Sequence, residues 1–279
     1  MHENFRFIAL LQACNQPFAA TVLLSFTDSG ISYNENGHRP VDKTISLEQK
    51  LKDTAKDIKA TYGLPLIIML QEILAGRNMK FLNLLRVLYP EYELILPASF
   101  DYVTHYKSIM SVTLVRRDAL GSYRVVELDS ELPNRTCYVV AELNGVETHI
   151  FNSHIAQIQN FKYQADWYIA ERRRLHDQQW DLLHEALHNN KDANVIFAGD
   201  MQESKSAKNL NVLKEEGYII SGASGTKTVR NNFFNVESCI DHIVLSPSAR
   251  ASLGKDTEII YDNSRVGRYS DHTLLCLCS

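Results

Sequence analysis

Side chains able to do acid–base or metal chemistry sit at the ends of apolar runs throughout this sequence. In Val195-Ile196-Phe197-Ala198-Gly199-Asp200-Met201-Gln202, a buried-strand pattern ends at a glycine and delivers a carboxylate and an amide. Extended residues two apart point to one side, so Asp200 and Gln202 are expected to face one pocket. Glu72, Asn152, His154, Asp241, Asp271 and His272 are attached to apolar runs in the same way. An acid or imidazole buried at a strand end costs several kcal/mol unless it is paired or bound to a cation. Their convergence therefore implies a hard-cation site with a histidine base beside it. Oxygen donors suit Mg²⁺ or Mn²⁺. The scattered histidines, and the absence of thiols from the set, argue against structural zinc.

The elements that must position these groups alternate between strand and helix. Phe5–Cys14 reads as a strand ending at Asn15, and Ala20–Phe26 as another. Ser46 caps a helix to Tyr62, with Leu47, Leu51, Ala55 and Ile58 as its apolar stripe and Gly63 as its stop. Leu64–Leu70 is a buried strand leading into Gln71-Glu72, and a short helix spans Asn78–Leu88. Asn144-Gly145 marks a hairpin whose second arm runs into Asn152-Ser153-His154. A long helix, Gln164–His188, is expected to turn Trp167, Ala170, Leu175, Trp180, Leu183 and Leu187 to the core. Residues 221–236 read as a polar loop, Cys239–Leu245 as a strand containing Asp241, and Thr273–Cys278 as the last strand. With no repeat or linker, residues 1–279 are expected to form a single domain.

Composition narrows the function classes. The chain is 45% hydrophobic and 22% charged, ample for a globular core. A net charge of −4 argues against gripping long duplex nucleic acid by bulk charge, while allowing local phosphate contacts. Basic residues cluster at Arg116-Arg117 and Arg172-Arg173-Arg174, either of which can equally be a solvated face. The five cysteines have no C-x-x-C spacing, no signal peptide is seen and no run is long enough to span a bilayer. Free thiols and a cytoplasmic or otherwise intracellular setting are expected. Asn134-Arg135-Thr136 matches a glycosylation acceptor, which carries little weight without a secretory signal.

The ordered set Leu70-Gln71-Glu72, Asn152-Ser153-His154, Gly199-Asp200-Met201-Gln202, Ile240-Asp241-His242 and Ser270-Asp271-His272 resembles the endonuclease/exonuclease/phosphatase (deoxyribonuclease I-like) superfamily over nearly the whole chain. The resemblance implies an α/β, four-layered αββα sandwich of two mainly antiparallel sheets with outer helices. It further implies that Glu72 ligates a metal, with Asp271 contributing directly or through water. His272, held by Asp241, would lie beside the scissile phosphate. Asp200 would orient or deprotonate the attacking water, and His154 would bind a phosphate oxygen. Tyr106 and Lys107 lie where relatives contact substrate, and Asn152 is a further substrate-binding candidate. Blander readings stand beside these: Glu72 as a helix cap, His154 as a strand histidine, Asp241–His272 as a structural pair, Asn152 as a hairpin residue, Tyr106 and Lys107 as an exposed loop face.

Two positions depart from the family pattern. Gln202 replaces the usual Asn, and the first-strand metal residue is indistinct, with Asn15 as the candidate. The leading reading is a divalent-metal-dependent phosphodiesterase: a nuclease or DNA-end-processing hydrolase, with DNA favoured over RNA. The alternatives are an inositol-phosphate phosphatase or sphingomyelinase-type enzyme, and a weakly active or inactive scaffold of the same fold.

Overall fold

The computed structural model describes residues 21–25, 46–105, 108–158, 165–221, 227–231, 236–253, 258–262, 272 and 274–278. In chain order they form β1 (Thr21–Ser25), α1 (Leu47–Tyr62), β2 (Ile67–Leu74), α2 (Lys80–Leu88), β3 (Tyr92–Ile95), the one-turn α3 (Tyr102–His105), β4 (Ile109–Arg116) and β5 (Leu120–Val126). Then come β6 (Thr136–Leu143), β7 (Val146–His154), α4 (Asp166–Asn189), β8 (Asn194–Asp200), α5 (Lys208–Glu215) and β9 (Ile219–Ile220). The rest is β10 (Val229–Asn231), β11 (Val236–Ser238), β12 (Asp241–Leu245), α6 (Pro247–Leu253), β13 (Glu258–Asp262) and β14 (Leu274–Cys278).

One sheet has the order β13-β14-β1-β2-β4-β3 and the other β5-β6-β7-β8-β12-β9. Each contains one parallel pair, β1–β2 in the first and β7–β8 in the second, in an otherwise antiparallel ladder. The reason lies in the connections. Tight turns give antiparallel neighbours, whereas a parallel pair needs a crossover long enough to hold a helix, as α1 and α4 are. The sheets pack face to face over a shared core that includes Ile67 and Met69 of β2, Ile150 of β7, Ile196 and Ala198 of β8 and Ile243 of β12. The outer face of the first sheet is covered by α1 and α2 through Leu51, Ile58, Leu82 and Leu85. The outer face of the second is covered by α4 and α5 through Trp180, Leu183, Leu187, Leu210 and Leu213. This is the four-layered αββα sandwich the resemblance implies.

Local signals act as read. The Ser46 side chain accepts from the Gln49 N–H, and Gly63 closes α1 at φ 67°. Such a cap contributes about 1 kcal/mol. Asn144 and Gly145 both take positive φ (49° and 81°), the pairing that matches the twist of a two-residue hairpin. Other expectations fail. Trp167 is 73% exposed rather than core, because the buried stripe of α4 begins only at His176 and continues through Gln179, Trp180, Leu183 and Leu187. The stretch 221–236, expected to be loop, carries the ribbon β10–β11, and α6 and β13 were not anticipated. The expected strand Phe5–Cys14 lies outside the described residues. Among the described residues no helix is long and apolar enough to cross a membrane, and Cys137 and Cys239 are free thiols.

Candidate active site

Strand register gathers the polar groups. In the second sheet His154 of β7 is paired with Asp200 of β8, which is paired in turn with Asp241 of β12. Three residues far apart in sequence thus stand side by side on adjacent strands. They share the inner face, because Ile150, Ile196, Ala198, Ile243 and Leu245, each an even number of residues away, belong to the core between the sheets. The inner face is therefore apolar along most of its length and turns acidic at one rim. Cross-links Ile155 N to Asp200 O (2.9 Å) and Met201 N to Ile240 O (2.8 Å) extend the pairing just past the strand ends.

Asp200 is 1% exposed. Burial and the nearby carboxylates of Asp241 and Glu72 push its carboxyl up, to about 8, against the opposing pull of His272 and Gln202. Gln202 does not lie two residues along an extended strand, as expected. It sits at φ 54°, its N–H donates to Asp200 Oδ1 at 3.1 Å, and its side-chain amide donates to Oδ1 (2.8 Å) and Oδ2 (2.7 Å). A turn folds the amide back onto the carboxylate, and the longer Gln side chain suits that hairpin reach. Gly199 is required by close approach: a Cβ there would stand 1.8 Å from Ser153 O. The next residue, Glu203, is held through its carbonyl by His242 Nε2 (2.8 Å) and through its carboxylate by Asn209 (2.7 Å).

Glu72 comes from the opposite sheet. Strict alternation would send it to the outer face with Ile68 and Leu70. Instead β2 shifts register against β4 between Leu70 and Ile73, and Glu72 adopts φ 57°. The bulge returns Ile73 to the outer cluster and lets the carboxylate reach the rim, where Oε1 lies 3.7 Å from His154 Nε2. His154 Nε2 is also 3.7 Å from Asp200 Oδ2. Its other nitrogen, Nδ1, receives a 2.9 Å hydrogen bond from Arg135 Nη1. A guanidinium only donates, so Nδ1 is bare and Nε2 carries the proton toward the two carboxylates. Burial and the Arg135 charge hold the His154 pKa well below the usual histidine value, so the ring is neutral.

His272, just ahead of β14, completes the rim from the first sheet. Its Nδ1 lies 3.0 and 2.9 Å from the two Asp241 oxygens, and its Nε2 lies 3.9 Å from Asp200 Oδ2. Asp200, Asp241 and His272 offer ligand atoms that all lie within 4.8 Å of one another. The donor set fits a hard divalent cation: carboxylate oxygens predominate, and crowding of Asp200 by Asp241 and Glu72 is the excess negative charge that a cation relieves.

Glu72, His154, Asp200, Gln202, Asp241 and His272 thus meet at one rim. Asn15, Asp271, Tyr106 and Lys107 lie outside the described residues. Asn152 is fully buried, and its amide spans the two sheets: it donates to Val112 O (2.9 Å) and Leu70 O (3.3 Å) and accepts from Gln71 Nε2 (2.6 Å). These contacts tie the sheets together beneath the site. Arg135 escaped the sequence reading, which noticed Asn134-Arg135-Thr136 only as a glycosylation match; Asn134 is 5% exposed. The signal was available in the hairpin register: Thr136 pairs with Ser153, which places Arg135 opposite His154.

The chain is similar in fold to solved structures of known proteins. Truncated TDP2 of Caenorhabditis elegans superposes with TM-score 0.59 and 16% identity, over 94% of this chain and 97% of that one. TDP2 of D. rerio, solved with single-strand DNA product, gives 0.57 and 15%, over 94% and 98%. A mannosyl-6-phosphatase of Bacteroides thetaiotaomicron gives 0.58 and 18%, over 93% and 98%. No curated protein matches the sequence. Residues 31–272 match the Endonuclease/Exonuclease/phosphatase family, most of the chain and every described side chain of the rim. With motifs, sandwich and family match in agreement, the chain belongs to the endonuclease/exonuclease/phosphatase family of phosphoester hydrolases.

Proposed function

We propose that this chain is a divalent-metal-dependent phosphodiesterase acting on nucleic acid, with DNA favoured over RNA. The observation that carries the reading is the level row His154–Asp200–Asp241 on three adjacent strands, faced across the rim by Glu72 and His272. Hydrolysis of a phosphodiester needs a positioned water, neutralised non-bridging oxygens and help for the departing alkoxide. The separations of 3.7–3.9 Å between Asp200 Oδ2 and the two imidazole Nε2 atoms exceed direct hydrogen bonds and leave room for substrate oxygens to be bridged there.

Asp200, locked by the Gln202 amide, orients the attacking water and takes its proton. His154, neutral with its proton on Nε2, donates to a non-bridging phosphate oxygen, and Arg135 fixes that tautomer. His272 is aimed by Asp241 at the same phosphate, where its ring manages the proton of the leaving group. Glu72, with Asp271 and Asn15, would hold Mg²⁺ or Mn²⁺. When bound, the cation supplies neutralising charge to the phosphate and acidifies a coordinated water.

A panel of phosphoesters assayed with Mg²⁺, Mn²⁺ or EDTA tests the reading, with His272→Ala as the control. Metal-dependent cleavage of DNA, abolished by EDTA and by the substitution, is expected. Turnover of sugar or inositol phosphates with none on nucleic acid would transfer the assignment to a phosphatase. Failure on every phosphoester, with Gln202→Asn restoring turnover, would support the scaffold alternative.

A further inference from the structure

An aromatic pair stands open on the helix that follows His154 in the chain. Trp167 is 73% and Tyr168 39% exposed, in the first turn of α4, with ring centroids 5.9 Å apart and planes at 88°. The other tryptophan, Trp180, is 1% exposed in the core, so Trp167 is the residue that departs from ordinary burial. Tyr168 and Arg172 are four residues apart and share one face of the helix. Arg172 is half-buried, and its Nε donates at 3.2 Å to the carbonyl of Gln157, three residues after His154. Arg135, bonded to His154, lies within electrostatic reach of Arg172 and of the Tyr168 hydroxyl. Arg174 is committed elsewhere, to Glu131 and Glu171. A strip therefore runs from the open first turn of α4 toward the reacting centre: Trp167 and Tyr168 in ring contact, Arg172 on the Tyr168 face of the helix, and Arg135 on His154.

We propose that this strip is a subsite for single-stranded nucleic acid, in which one ring of the perpendicular Trp167–Tyr168 pair stacks on an unpaired base and the other meets its edge, while Arg172 holds a phosphate flanking the scissile one. The proposal rests on the phosphodiesterase reading above and names the form of its substrate. Stacking requires a free base face, which a single strand offers and a duplex has already used. Two half-buried arginines supply local phosphate contacts in a chain whose net charge of −4 gives no bulk attraction, so recognition must be local.

The test compares wild type with Trp167→Ala/Tyr168→Ala, two substitutions at exposed positions that leave the core untouched. Substrates are a short single-stranded oligodeoxynucleotide and methyl p-nitrophenyl phosphate, a diester too small to reach the strip. Losing one stacked base should lower the ratio of kcat/KM on DNA to kcat/KM on the small diester by about tenfold, mostly through KM. An unchanged ratio overturns the proposal, as does a strand of abasic sugar-phosphate that responds as strongly as the normal one. Should wild type turn over neither substrate, the phosphodiesterase reading fails separately, and binding decides the subsite. Anisotropy of labelled single-stranded DNA must then show binding to wild type that the double variant loses, and no binding by wild type overturns it.

Discussion

Removing the charge of Asp200 should change how the metal-free fold responds to pH. Burial, then Asp241, then Glu72 push this carboxyl up to about 8, whereas in the unfolded chain it titrates near about 3.9. The folded chain therefore binds the proton more tightly, and its stability is fully present below the unfolded pKa and lost as pH climbs toward 8. Histidines act in the opposite sense. Burial lowers the pKa of His154, His149 and His242, so they cost stability only as pH falls below about 6.5. From about pH 6.5 to 8 those three histidines no longer contribute, and Asp200 contributes a slope of up to about 1.4 kcal/mol per pH unit, about 2 kcal/mol in total. In EDTA the Tm of wild type should drop by about 4–8 °C across that interval. Asp200→Asn should hold nearly level. Magnesium at about a hundred times its Kd should return about 2.7 kcal/mol to wild type, more at higher pH where the carboxylates around it are ionised. Differential scanning calorimetry in EDTA and in Mg²⁺ measures all three. A wild-type Tm that stays constant or rises over the interval in EDTA, or an Asn variant with the wild-type slope, would refute the account of a crowded, cation-seeking carboxylate.

Three further substitutions probe the rim and its supports. Asp241→Asn removes the anion that aims His272 and should lower kcat by about 10²–10⁴-fold with a small change in KM, read by steady-state kinetics. Gly199→Ala drives a Cβ into the Ser153 carbonyl and should destabilise the fold by about 3 kcal/mol or more, read as a lower urea midpoint at unchanged slope. Asn152→Ala leaves the buried Gln71 amide without its acceptor and cuts the ties to Leu70 and Val112; urea unfolding should show a loss of about 2–4 kcal/mol.

Much of the fold was legible because its signals are local. The cap at Ser46, the stop at Gly63 and the Asn144-Gly145 turn depend on backbone chemistry within a few residues, and each forms as read. The apolar runs that become β2, β7, β8 and β12 were recognisable, as were the polar residues at their ends. Trp167 misled because hydrophobicity alone does not say where a helix leaves the sheet it covers.

What the sequence by itself determined was which residues of chemical interest stand at strand ends, and hence the family they resemble. Tertiary structure decided who faces whom. Register set His154, Asp200 and Asp241 level, a bulge with left-handed backbone turned Glu72 to the inner rim, and the β6–β7 pairing placed Arg135 on His154. None of these is encoded within a short window. The row and the bulge depend on pairing between strands distant along the chain, and the Arg135 contact spans 19 residues of a hairpin, so each forms only as its sheet assembles, and the groups meet at one rim only when the two sheets close on each other.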